Sequence, residues 1–344
     1  MPTVTNYQIM SQYDFRLNSN FIERMNYYGR NGIKFLFIVD FEMRFPVIMK
    51  LTEAKSSCIK YFIDGANNYS EYADNITNKN KLKIQKNIVP FKVYEKAFNN
   101  VIKHEKAGNS YLVNLTFKNP VKINLGLREI FYKSRSKYKL YFKDSHREFV
   151  LFSPETFINI CGGKIFTYPV KGTIDAAIYN AKEILANDKK EKAEHLTVVD
   201  LLRNDLNIVC KDVKVNRFCF IETVKTNIGE LLQMTSEIEG KIKPELNKRF
   251  GDILSAMLPA GSICGAPKRK TLEIIKETEP EERGYYTGIF GMYDGETFKS
   301  SVMIRFIEKT REGCFYRSGG GITVYSDVKK EYDEMADKIY VPIY

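Results

Sequence analysis

A lysine held between a proline and a glycine is the arrangement in this chain best suited to covalent chemistry: Tyr168-Pro169-Val170-Lys171-Gly172-Thr173. Proline fixes the backbone ahead of the amine, and glycine lets the chain turn sharply behind it. One amine is thereby kept in one place, as a nucleophile requires. A hairpin's length upstream, Glu155 lies in Leu151-Phe152-Ser153-Pro154-Glu155-Thr156-Phe157, a carboxyl group among apolar neighbours at an expected strand end. A carboxyl so placed is either paired structurally or held for proton transfer. Arg305, in Val302-Met303-Ile304-Arg305-Phe306, reads as an arginine inside an apolar strand. Such a guanidinium needs a carboxylate partner, from the protein or from a substrate. Two ExxE pairs complete the set: Glu191 with Glu194, and Glu331 with Glu334. Residues three apart share a helix face. If the two helices converge, the crowded carboxylates call for a cation, and oxygen-only ligands suit magnesium. The competing reading of each pair is a solvated helix face, and Glu191 also completes a capping box after Asp188.

Two glycine-rich segments resemble phosphate-binding loops only superficially. Gly261-Ser262-Ile263-Cys264-Gly265-Ala266-Pro267-Lys268 has the wrong spacing for a Walker loop, and Lys268 is not followed by Ser or Thr. It retains small residues that lead into a helix N-terminus, where an anion can be received. Gly319-Gly320-Gly321 leads into an expected strand rather than a helix, so it is no dinucleotide fingerprint. Its backbone N–H groups can still approach a ligand closely.

The totals exclude several classes. The 344 residues carry a net charge of +11, with 53 Lys+Arg against 42 Asp+Glu. The lysines are spread along the chain rather than clustered with aromatics, so nucleic-acid binding is not expected, while an anionic small substrate is compatible. The six cysteines form no CxxC pair, and His104, His146 and His195 are scattered, which leaves no credible zinc site. No apolar run approaches the roughly 18 residues of a membrane span. The first residues lack a basic segment followed by an apolar one, so no signal peptide is expected and a cytoplasmic location is.

The elements that must position these residues are legible in part. Residues 34–40 read as a buried strand with a hairpin partner at 46–51, and 66–89 as a polar, exposed connection. Pro90 opens a helix with Tyr94, Ala97, Val101 and Ile102 on one face, and Gly108 closes it. Strands are expected at 111–117, 137–142, 149–152 and 164–168. Alanine-rich helical sequence follows at 176–187, then a helix from Asp188. A helix at 268–278 precedes strands at 286–293, 300–307, 314–318 and 322–325 and a last helix from about Val328. Strands and helices come in runs rather than in strict alternation, which argues for an α+β fold with mostly antiparallel sheet.

With these residues in place, the order SPETF, YPVKGT, AEHLTVVDLLRNDL, GSICGAPK, YYTGIFG, MIRF, GGGITVYSD and EYDEMADK resembles the chorismate-utilising enzymes. The likeness is dense over 90–340 and loose before it. It implies one domain over 1–344, with 1–89 a shortened N-terminal part and 90–340 the catalytic core. It implies two large, mostly antiparallel sheets packed together with helices outside. It also implies Mg²⁺ and chorismate, with Glu194 and Glu334 holding the metal and Glu191 and Glu331 close behind. Arg305, Tyr286, the backbone at Gly320 and Gly321, Ser262, Thr173 and Lys338 would surround the substrate, and Glu155 would be the general acid/base.

Within that family Lys171 resembles the lysine of the aminodeoxychorismate synthases, where anthranilate synthases carry alanine. The resemblance implies a component I that converts chorismate and ammonia to 4-amino-4-deoxychorismate for 4-aminobenzoate and folate synthesis. A covalent adduct on a neutral Lys171 is implied, with ammonia supplied by a separate glutamine amidotransferase. Anthranilate synthase component I and isochorismate synthase are the alternatives. The water-using members carry a lysine base where Leu112 stands here. Gln233 replaces a histidine of an HxxS-like segment, and the short N-terminal part implies no tryptophan binding. A non-catalytic binding protein is a further reading, opposed by the intact set Glu155, Lys171, Glu194, Arg305 and Glu334.

Overall fold

The computed structural model describes residues 15–70, 80–226 and 229–343. Among the described residues, Phe35–Val39 is buried along its whole length and sits within a nine-stranded sheet. A strand that is apolar on both faces must be covered on both. One face, Leu36 and Ile38, packs with Phe290 and Met292 against Tyr138, Leu140, Phe149 and Phe306 of a second nine-stranded sheet. The other face, Phe35 and Phe37, packs against Met25 and Tyr28 of the helix Ser19–Arg30 and Phe250 and Leu254 of the helix Phe250–Met257. The second sheet repeats the pattern. Tyr141, Val150, Phe152 and Tyr316 point away from the first sheet, onto Ile130 and Phe131 of the helix Leu127–Lys133. Two sheets face each other with helices outside, and every strand pairing is antiparallel.

In the first sheet the order runs from Val170–Asp175 through Gly229–Ile242, Lys164–Thr167, Thr156–Cys161, Phe298–Val302 and Ile289–Tyr293 to Phe35–Val39 and Val47–Lys50. The long strand Cys210–Thr226 pairs with Gly229–Ile242 off this path. In the second, Leu112–Ile123 and Gly313–Ile322 lie side by side, followed by Phe306–Thr310, Glu148–Ser153 and Tyr138–Lys143. Tyr94, Ala97, Phe98 and Val101 form the buried face of the helix Phe91–Lys106, as their spacing requires.

Four expectations are corrected. The run at 300–307 is not one strand: Phe298–Val302 belongs to the first sheet and Phe306–Thr310 to the second, with Arg305 between them at φ +54°. Apolar residues surround Arg305 because both sheets end there, which sequence pattern alone reads as continuity. The glycine triplet lies inside Gly313–Ile322, and the residues after Ile322 form a turn rather than a strand. The alanine-rich segment at 176–187 follows a strand, Val170–Asp175, and opens as a turn, so its helix starts only at Ala181. The connection at 66–89 carries the short strands Ala66–Asn67 and Ile84–Lys86, while 71–79 lies outside the described residues.

Candidate active site

Lys171 is the second residue of Val170–Asp175, an edge strand of the first sheet. Its register against Gly229–Ile242 shifts between Lys171, opposite Met234, and Thr173, opposite Gln233. Gly172 supplies the bulge, at φ +69°. A bulge bends its strand and re-aims the neighbouring side chain. Here it sends Lys171 toward the helix Lys189–Val209, where its Nζ lies 3.6 Å from Glu194 Oε2. A Cβ on Gly172 would stand 2.9 Å from Leu185 Cδ1 and 3.3 Å from Glu191 Oε2, so the bulge is packed as well as bent. Thr173, one residue on, is exposed.

Asp188 caps the helix, accepting from the N–H groups of Lys190 and Glu191. Its buried positions, His195, Val198, Val199, Leu201, Leu202, Asp205, Leu206 and Val209, form a single stripe. The acidic pair Glu191 and Glu194 lies beside that stripe. Opposite, Asp327 caps the helix Val328–Asp337, which carries Glu331 and Glu334, with Lys338 at its C-terminal end. The two helices bring their acidic residues within electrostatic reach of Lys190. Against the opposing effect of burial, Glu194, Glu331 and Glu191 together pull Lys190 above the usual lysine value. Lys190 Nζ is 3.6 Å from Glu194 Oε1. Burial and then the neighbouring Glu194 push Glu191 up, and burial pushes Glu331 up, with Glu334 adding to it and a hydrogen bond from Ser326 opposing. Burial also opposes the ionisation of Glu334, yet Lys338, 2.7 Å away, with Lys171 and Lys190 behind it, holds that carboxyl below its ordinary value.

Lys338 Nζ also donates to the carbonyl of Gly319 at 3.0 Å. A Cβ on Gly320 would lie 3.4 Å from Lys338 Nζ and 3.5 Å from Glu331 Oε2, so the glycine backbone faces the charged cluster directly. Gly321 faces Leu112, whose Cδ1 would be 2.9 Å from an added Cβ.

Glu155 sits between Glu148–Ser153 and Thr156–Cys161, where the chain passes from the second sheet to the first. Its carbonyl accepts from Ser301 Oγ at 2.7 Å and from the Val302 N–H at 3.3 Å, which pins the backbone. Ser262 Oγ donates to Glu155 Oε1 at 2.8 Å. Burial raises the Glu155 pKa, opposed by that hydrogen bond and then by the charges of Lys171, Arg305 and Lys338. One carboxyl group thus lies in the field of three cations from three elements. Arg305 stacks over Tyr340 at 5.2 Å, and its Nε is buried with no partner. Burial pushes Tyr286 up to about 12, against Arg283 and Arg305, which favour its ionisation. Arg283 itself is bound to Glu279 at 2.6 Å and to backbone carbonyls, and serves the scaffold.

A cavity of about 800 Å³ opens over Lys171, Lys190 and Glu194, walled by Tyr111, Leu112 and Tyr325. Glu155 does not line it; Lys171 links the two, lining the cavity and acting on Glu155 through its charge.

Among the described residues, no three acidic, histidine or cysteine side chains stand close enough together to enclose an ion. The donor type, oxygen alone, is nevertheless the kind a hard cation takes. Four carboxylates from two helices share one region, and the ammonium groups of Lys171, Lys190 and Lys338 supply the positive charge there.

Several residues of the site were not singled out by sequence. Asp205 accepts from the Gly261 N–H at 3.2 Å and pairs with Lys268 at 3.0 Å, which fixes the short turn that carries Ser262. Its signal was a polar residue on an apolar helical stripe, and His195 gives the same signal. Fully buried, His195 meets Ser236 Oγ at 2.6 Å through Nε2, and burial and the Lys171 charge lower its pKa to about 4.

Residues 33–343 match the family described as chorismate binding enzyme. The chain belongs to that family. It is 44% identical over 324 residues to an "Uncharacterized PabA-like protein" of Haemophilus influenzae, covering 94% of this chain and 97% of the relative. It is 32% identical over 262 residues to "Aminodeoxychorismate synthase component 1" of Bacillus subtilis, covering 72% of this chain and 54% of that protein. The fold is that of a putative 2,3-dihydroxybenzoate-specific isochorismate synthase from Bacillus anthracis (TM-score 0.68, 20% identity, 95% of this chain and 88% of that one). An anthranilate synthase component I from Streptococcus pneumoniae gives a TM-score of 0.64 at 24% identity, over 76% of this chain and 59% of that one. The chain is therefore a chorismate-binding enzyme with the fold of this family. The six cysteines are free thiols, and among the described residues no helix is long and apolar enough to cross a membrane.

Proposed function

We propose that this chorismate-binding enzyme is an aminodeoxychorismate synthase component I, which replaces a ring hydroxyl of chorismate with nitrogen. The observation that carries the reading is Lys171, an amine aimed by a glycine bulge into the cavity and within the field of Glu155. Leu112, an apolar side chain against Gly321, stands where the water-using members place a lysine base, which disfavours isochorismate synthesis.

Glu155, whose protonated form burial favours, gives its proton to the departing hydroxyl, which leaves as water. Lys171, once its ammonium group has given one proton to solvent, forms a bond from Nζ to the ring as the double bonds shift and the C–O bond breaks. Ammonia then bonds to the ring, the double bonds shift back, and the C–Nζ bond breaks to return the amine. The proton lost by the new ammonium group goes to the Glu155 carboxylate, which restores the acid. Arg305, with its unpartnered Nε, and the backbone at Gly320 and Gly321 hold the substrate carboxylates, while Tyr286, Ser262, Thr173 and Lys338 border the site. Glu194 and Glu334, with Glu191 and Glu331 beside them, would hold Mg²⁺. Bound there, it would neutralise substrate carboxylate charge. The aminodeoxychorismate synthase relative and the PabA-like name of another relative support a glutamine amidotransferase as the ammonia source.

Chorismate, Mg²⁺ and ammonium incubated with the protein should yield 4-amino-4-deoxychorismate. Anthranilate or isochorismate in its place would refute the assignment. Lys171→Ala should abolish turnover, and unchanged turnover would refute the covalent role.

A further inference from the structure

The helix Phe91–Lys106 ends beside the same cavity, and its last turn holds a buried acid that the chemistry above leaves unused. Glu105 is 7% exposed, it lines the cavity with Lys171, and neither of its carboxylate oxygens has a hydrogen-bond partner. An orphaned buried carboxyl is costly unless something comes to meet it. Its position limits what that is. The carbonyl end of a helix carries partial negative charge and favours cations. A dianionic ring would oppose the ionised form of Glu105 and is better met by Lys171, Lys190 and Arg305. The visitor is thus a small cation with N–H donors.

We infer that Glu105 is the ammonium subsite of the enzyme: it receives NH₄⁺ in the cavity and takes one proton from it, releasing neutral ammonia toward Lys171. This rests on the proposed amination of chorismate and names the group that readies its nitrogen. In the step an N–H bond of ammonium breaks, an O–H bond forms on Glu105, and the electron pair stays on nitrogen. The carboxylic acid then passes its proton to water at the cavity mouth. Burial alone lifts the Glu105 pKa to about 8, which makes its carboxylate a far stronger base than a solvated one. The arriving cation itself favours the ionised form.

The test is steady-state kinetics of the intact chain with ammonium chloride as nitrogen source, varying ammonium and chorismate separately. Glu105→Gln, which keeps the shape and removes the charge, should raise the ammonium KM by about tenfold or more. The chorismate KM should move by less than about twofold, since its carboxylates are held at Arg305, Gly320 and Gly321. Glu105→Asp should recover part of the ammonium affinity. In the wild type, Rb⁺, which matches ammonium in charge and size but has no proton to give, should compete with ammonium and not with chorismate. An unchanged ammonium KM in Glu105→Gln, or equal rises in both KM values, would overturn the ammonium subsite and leave the amination standing. If the wild type forms no aminated product, the proposed function fails and the subsite with it.

Discussion

Gly172→Ala isolates the feature that aims the nucleophile. Gly172 has φ +69°, where an L residue costs about 1–2 kcal/mol. Its new Cβ would stand 2.9 Å from Leu185 Cδ1, the movable end of a side chain, and 3.3 Å from Glu191 Oε2. The destabilisation should therefore be about 1–3 kcal/mol, most of it backbone strain. Relief of that strain requires the bulge to flatten, which moves Lys171 relative to Glu194. A misplacement of about 1 Å at a reacting group costs on the order of a hundredfold in rate. Gly163→Ala is the matched control: its φ is +74°, with nothing within 4 Å of an added Cβ, and it lies in the turn between Thr156–Cys161 and Lys164–Thr167. It should lose a similar 1–2 kcal/mol in about the same thermal shift but keep turnover within about twofold. Thermal unfolding followed by fluorescence, and chorismate consumption at saturating ammonium, measure both variants. Gly172→Ala with wild-type turnover, or Gly163→Ala with an equal loss, would refute the claim that this bulge positions the amine.

Ser262→Ala removes the donor that lowers the Glu155 pKa, so the basic limb of the pH–rate profile should shift upward, with kcat down by roughly tenfold. An unshifted limb would show that the profile reports another group. Asp205→Asn keeps an acceptor for Gly261 but removes the charge partner of Lys268, which retains its hydrogen bond to the Met257 carbonyl, and should cost roughly 2–3 kcal/mol in thermal or denaturant unfolding, less than a fully buried pair because Lys268 is partly exposed. Glu105 binds its proton more tightly folded than unfolded, so its contribution to stability is present below pH 4.5 and is lost as pH rises toward about 8. Glu105→Gln should therefore be more stable than wild type at pH 8, with the difference shrinking toward pH 5; a pH-independent difference would contradict this.

The residues of the candidate site were easier to pick out in the sequence than the framework that holds them. Lys171, Glu155 and the ExxE pairs stood out because polar residue types in constrained or periodic settings are visible without coordinates. The helices Phe91–Lys106, Lys268–Thr278 and Val328–Asp337 were legible from their apolar spacing. Arg305 was misplaced because an apolar run cannot reveal that its two ends belong to different sheets. The strand Val170–Asp175 was hidden by its own bulge, which breaks the alternation that would announce it. The paired strands Cys210–Thr226 and Gly229–Ile242 were missed because register shifts interrupt their period. Glu105 was invisible for another reason: it follows the expected surface pattern near a helix end, and only tertiary packing buries it.

The charge balance of the site ties the proposed metal to the proposed nucleophile. Three lysines from three elements stand among four carboxylates, and Lys171 shares Glu194 with Lys190. A carboxylate that takes up a divalent ion cannot serve an ammonium group equally well, since the two cations repel each other across it. If Glu194 takes up Mg²⁺ as proposed, loading should therefore loosen Lys171 from Glu194 before any substrate arrives. Competitive acylation with a limiting amine reagent, read by peptide mass spectrometry, measures this in the resting protein. Lys171 should be labelled severalfold faster with Mg²⁺ than with chelator, while exposed lysines outside the cluster, such as Lys214, should be unaffected. Equal labelling of Lys171 in both conditions would mean that the cation and the amine do not share Glu194, and that the two helices serve one of them alone.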